Sequence, residues 1–170
     1  MRRMFKMAVG LSVLLAFVSA VPAFAVQPEV KTVPWVATNP LIPHDTVSGD
    51  THWVKGTANV QGANFEYTWD FGDGSPPGVG IVSNKYVIGY PHIYTGTAGD
   101  VFTATLTVRD TDTGETDSAN YFVIIQDRSL EVEVNQAIDY GLWYLHSTLR
   151  RFTSAGGVEY GDWAAGGMSS

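Results

Sequence analysis

The sequence predicts an all-β sandwich, and three observations carry that prediction. The stretch 65–74 (F-E-Y-T-W-D-F-G-D-G) sets Phe65, Tyr67, Trp69 and Phe71 at every second position, with Glu66, Thr68 and Asp70 between them. Side chains alternate across a strand, so four rings share one face and need a thick apolar layer opposite. The run 101–109 alternates as cleanly: Phe102, Ala104, Leu106 and Val108 on one side, three threonines, Val101 and Arg109 on the other. Finally, six or seven short strand-like runs follow one another with turn residues between them and no helical period among them. That spacing is the mark of an immunoglobulin-like sandwich.

The chain begins with Arg2, Arg3 and Lys6 ahead of an apolar run from Met7 to Val18, and Ala23-Phe24-Ala25 supplies a small–x–small cleavage site. Residues 1–25 therefore read as a signal peptide. The apolar run is shorter than the roughly 20 residues of a membrane span. Export to the medium, the cell surface or a periplasm is the expectation, with no membrane insertion after cleavage, and a bacterial or archaeal source suits it. Losing the three cations takes the formal charge from −7 to −10. So acidic a chain is a poor partner for nucleic acid or anionic lipid. It has no cysteine, which excludes a disulfide framework and a thiol nucleophile.

A single sandwich domain is expected over 26–128. Four prolines between Val26 and Pro43 allow an edge strand or an extended lead-in, with Trp35 as an end plug. Residues 44–49 (H-D-T-V-S-G) read as a turn. Thr51–Ala58 follows as a strand with His52 and Val54 alternating against Trp53 and Lys55. The aromatic strand ends in a tight acidic turn, where Gly72 and Gly74 tolerate positive φ and Asp70 and Asp73 accept from turn N–H groups. Ser75-Pro76-Pro77-Gly78 prolongs that break, and 81–94 holds one or two less regular strands. Asp110–Gly114 is a hairpin turn, and Ser118–Gln126 is the returning strand.

Three ordered motifs now carry a resemblance. Trp69-Asp70-Phe71-Gly72-Asp73-Gly74, then His92-x-Tyr94, then the strand from Phe102 through Leu106 and Val108 to Asp110 resemble the PKD (polycystic kidney disease) domain over roughly residues 30–127. Phe102 stands where that family usually has Tyr, and Ala104 where it has Val. The resemblance implies a seven-stranded β-sandwich serving as a non-catalytic spacer, adhesive or binding module, and it implies no reaction.

After Asp127 the period changes. Val134, Ala137, Ile138, Gly141, Leu142, Leu145 and Leu149 recur at three and four residues, which predicts an amphipathic helix over 129–152. Ser129 is its cap, and Glu131, Glu133, Arg150 and Arg151 suit its dipole. Tyr140, Trp143 and Tyr144 widen its apolar side. The helix is expected either to pack on an edge or end of the sandwich or to open a second, helical domain. Val134–Leu149 followed by Gly161-Asp162-Trp163 faintly resembles the first helix of a terpene cyclase-like or prenyltransferase-like α/α toroid. Residues 153–170 read as a Gly- and Ser-rich flexible tail.

Catalytic chemistry finds no foothold in these motifs. Asp70 and Asp73 read as turn stabilisers, and His92 as a structural hydrogen-bonding group. His44, His52, His92 and His146 match no zinc spacing. Asp110, Asp112 and Asp117 are candidate calcium ligands, but a full loop with its closing Glu is missing and hairpin turns use the same residues. No cofactor is expected apart from that calcium. Trp35, Trp53 and Trp163 could form a sugar-stacking platform if exposed, though core or end-plug packing is the expectation for Trp35 and Trp53. The expected function is a non-catalytic exported module that contacts protein or polysaccharide surfaces, mediates adhesion or spaces domains. The alternative is an accessory module of a larger secreted enzyme or helical toroid protein.

Overall fold

The computed structural model describes residues 29–33, 42–60 and 64–163. The expected signal peptide, Trp35 and the last seven residues lie outside them. Among the described residues, eight strands build the sandwich: β1 (Glu29–Thr32), β2 (His44–Val47), β3 (Thr51–Asn59), β4 (Phe65–Asp70), β5 (Gly78–Ile81), β6 (Ile88–Ile93), β7 (Val101–Asp110) and β8 (Thr116–Gln126). One sheet has the order β1-β3-β6 and the other β2-β8-β7-β4-β5. Every sandwich pairing is antiparallel except β2 with β8.

The all-β expectation holds, with one strand more than seven. The extra strand is β2, in the segment read as a turn: its four residues run parallel to Val123–Gln126 before Gly49 turns the chain at φ 86°. The aromatic strand, β4, lies inside its sheet between β7 and β5. Phe65, Trp69 and Phe71 are buried, and Tyr67 is half-buried opposite Gly80 of the edge strand. Trp69 meets Leu106 across the strand pair and Tyr121 edge-on at 6.1 Å. A Cβ on Gly56 of β3 would stand 2.3 Å from Leu106 Cδ2 and 3.4 Å from the Trp69 ring, so the backbone there closes directly on the core. Pro91 sits in β6, a sheet edge, where its missing N–H costs no ladder bond.

Helix α1 (Leu130–Thr148) follows, with the Ser129 hydroxyl accepting from Val132 N–H. It stops short of the expected 152 because Leu149 turns extended. The end of the expected helix and the first part of the expected flexible tail form a hairpin instead: β9 (Arg150–Thr153) pairs with β10 (Glu159–Asp162). Two cross-strand pairs hold it, Arg150 with Asp162 at 2.8 Å and Phe152 stacked on Tyr160 at 5.4 Å. No helix among the described residues is long and apolar enough to cross a membrane.

Candidate functional site

The acidic turn after β4 binds itself. Asp70 Oδ1 accepts from Gly72 N–H at 3.0 Å, and Asp73 Oδ1 accepts from the Ser75 N–H and hydroxyl at 3.0 and 2.6 Å. The other Asp73 oxygen takes His92 Nε2 at 2.7 Å, tying the end of β4 to β6 of the facing sheet. His92 stacks on Phe71 at 3.8 Å and meets Tyr94 edge-on. Burial pushes the Asp73 carboxyl up, but hydrogen bonds from Ser75 and His92 outweigh it and hold the group below the usual range. Gly72 is required here, since at φ 75° a Cβ would lie 2.2 Å from the Thr103 carbonyl oxygen.

The three calcium candidates do not converge. Asp110 Oδ1 accepts from the N–H groups of Asp112 and Thr113, an Asx turn that lowers its pKa. Asp112 instead accepts from the Asn64 side chain, and Asp117 from Val30 N–H of β1. Among the described residues no group of three or more His, Asp or Glu is placed to hold a metal ion.

Two other constellations, neither assembled by sequence reasoning, lie where α1 meets the sandwich. The first is a polar seam. His52 points inward and Lys55 outward from β3, and both are almost fully buried. Lys55 Nζ pairs with Asp139 of α1 and lies 5.2 Å over the Tyr140 ring. His44 of β2 stacks on Tyr121 at 4.3 Å and comes within 3.7 Å of Asp139. His52 Nε2 is 3.2 Å from the Tyr121 hydroxyl. Burial drives His44 down to about 4 against the pull of Asp139, and drives His52 down to about 3 with help from the neighbouring His44 and Lys55. Burial lowers Lys55 too, with Asp139 opposing. These groups join helix to sheet, and at neutral pH both histidines are neutral.

The second is an aromatic cleft of about 340 Å³, lined by Thr51, Trp53, Tyr140, Trp143, Tyr144 and Ser147. Trp53 does not plug the core. The alternation that sends His52 and Val54 inward sends Trp53 outward, where it is 40% exposed. Trp143 comes down beside it, both rings bracketing the space a Cβ on Gly89 would take. Tyr140 donates its hydroxyl to the Thr51 carbonyl at 2.9 Å, which fixes that wall, and Tyr144 stands open to solvent. A signal was present in the sequence: Tyr140, Trp143, Tyr144 and Ser147 are spaced i, i+3, i+4, i+7 on one helix side. Trp163 is apart from this cleft in the contacts it makes, donating Nε1–H to the Leu145 carbonyl at 2.8 Å.

No family model matches the chain, and no curated protein matches it. Among solved structures it is similar to the PKD domain of an M14-like peptidase from Thermoplasmatales archaeon SCGC AB-540-F20, at 16% identity and a TM-score of 0.36, over 59% of this chain and 94% of that one. On its own strand order, with Trp69 between two sheets and Asp73 and His92 clasped at one end, the fold is a PKD-like β-sandwich carrying a docked C-terminal helix.

Proposed function

We propose that the chain is a non-catalytic exported contact module whose binding face is the aromatic cleft between β3 and α1, and that its ligand is a neutral polysaccharide. The observation that carries this is the pair of tryptophans, Trp53 and Trp143, set side by side with the exposed Tyr144 and flanked by the hydroxyls of Thr51 and Ser147. Apolar sugar faces stack on such rings while their hydroxyls need nearby polar groups, and about 340 Å³ fits a short stretch of sugar. An acidic chain favours uncharged over anionic glycans. The titratable side chains that could do chemistry are engaged in structure: Asp73 with His92, Lys55 with Asp139, His52 with Tyr121. This supports contact over catalysis.

A neutral-glycan array followed by titration of a hit, read by tryptophan fluorescence, tests the reading. Tyr144→Ala and Trp53→Ala should each weaken binding about tenfold, the order expected for losing one stacked ring. Binding unaffected by both substitutions, or no neutral glycan bound at millimolar concentration, would contradict it.

A further inference from the structure

Helix α1 docks with the side its hydropathy does not select. Toward the sandwich it turns Val132, Gln136, Asp139, Tyr140, Trp143 and His146, which are buried or half-buried. Gln136 and Tyr140 reach the carbonyls of Asp45 and Thr51, and His146 Nε2 donates to the Tyr86 carbonyl at 2.8 Å. Its aliphatic stripe lies on the opposite side, since at 100° per residue the two sets are half a turn apart. Val134, Ile138, Leu142 and Leu145 are 47, 57, 61 and 47% exposed. Gly141 sits among them, costing helix stability of about 1 kcal/mol relative to Ala, and a Cβ there would meet nothing within 4 Å. Nothing in the described chain uses this opening.

We infer that the stripe is covered by the same stripe of a second copy, the two α1 helices packing antiparallel about a two-fold axis that crosses the exposed side at the level of residues 139 and 140. Self-complementarity is the argument. Reversed on itself about that point, the stripe sets Val134 opposite Leu145, Ala137 opposite Leu142, and Ile138 opposite Gly141. Between 134 and 145 every position of the stripe meets a position of the stripe, and the largest central side chain meets the glycine gap, as isologous packing demands. The spacing 134, 138, 141, 145 alternates four and three residues, the seam of a helix pair. Charge agrees: Glu131 lies in the first turn of α1 and Arg151 donates to the His146 and Leu149 carbonyls at the other end, so the antiparallel arrangement brings unlike ends together and a parallel one would bring like ends together. The helix is roughly 28 Å long, enough to form such a seam.

The test is sedimentation of the chain beginning at Val26, which contains every described residue, from micromolar to near-millimolar concentration. The expected result is a monomer–dimer equilibrium, with Ile138→Lys weakening dimerisation at least tenfold while leaving the melting temperature of the dilute monomer unchanged. Register has its own readout, because the chain has no cysteine. Mixing an Ile138→Cys chain with a Gly141→Cys chain under mild oxidant should give the mixed disulfide in excess of either homodimer. A monomer at every concentration overturns the proposal and leaves the stripe to a different helical partner. So does a dimer indifferent to Ile138→Lys. Glycan binding through the cleft is independent of either outcome.

Discussion

The space between the two sheets and the joint between α1 and the sandwich are both interiors, yet they are made of different material. Between the sheets lie Phe65, Trp69, Phe71, Leu106, Val108, Tyr121 and Val123, an apolar layer set by strand alternation. Under the helix lie an ammonium–carboxylate pair, the neutral His44 beside it and hydrogen bonds from side chains to strand carbonyls. The first interior gains its stability from removing apolar surface from water and tolerates no loss of volume. The second relies on matched polar partners and tolerates no loss of a partner. Substitutions in the two regions should therefore fail in different ways.

The largest effect belongs to the apolar layer. Trp69→Ala removes a fully buried ring that packs on Leu106, Tyr121 and the bare backbone at Gly56. It should cost roughly 3–5 kcal/mol, read as a shift in the denaturant midpoint. A shift below ~1 kcal/mol would mean that the sheets do not close on this residue.

The joint should respond to pairing instead of size. Asp139→Ala leaves Lys55 buried without its counter-ion, and because Asp139 is itself partly exposed the expected cost is about 2 kcal/mol, below that of a fully enclosed pair. Lys55→Met removes the charge along with the need for a partner and should stay within about 1 kcal/mol of the parent. The contrast between the two variants carries the point. Equal losses would show that the ammonium is not held away from water.

The same contrast explains what the sequence discloses. Trp69, Phe71, Leu106 and Val108 are legible because a strand repeats every two residues, so each position follows from its neighbours. The outward side of β3 is equally legible, since whatever turns His52 and Val54 inward turns Trp53 outward, against the general preference of tryptophan for burial. Other features depend on long-range meetings that no local period encodes. Strand β2 is four residues long and pairs with a strand some eighty residues later. Asp139 becomes the partner of a buried ammonium only because Lys55 waits on the facing sheet. The amphipathic pattern of α1 located the helix but not its docked side, because that side is chosen by Lys55, the Asp45 carbonyl and the shelf at Gly89. Hairpin β9–β10 hid among glycines and serines, and its two pairing contacts are visible only once the strands face each other.

The smallest expected effect is one of pH, and only the share of His44 belongs to the joint. His44 and His52 have folded pKa values of about 4 and about 3, below an unfolded value near 6.5. Below pH 6.5 the unfolded chain takes up protons that the folded chain refuses, so the contribution of these groups is full above pH 6.5 and is lost as pH falls toward 4. Asp73, also depressed, adds a loss of the same sign at still lower pH. Between pH 7 and pH 6 the two histidines together should cost about 1 kcal/mol, because only part of the unfolded population is protonated there. His44→Gln should remove about half of that slope, at the cost of the ring stacked on Tyr121. If the pH dependence of the melting temperature were the same in the variant, His44 would be free to titrate in the folded state, and the helix would not be closing over β2.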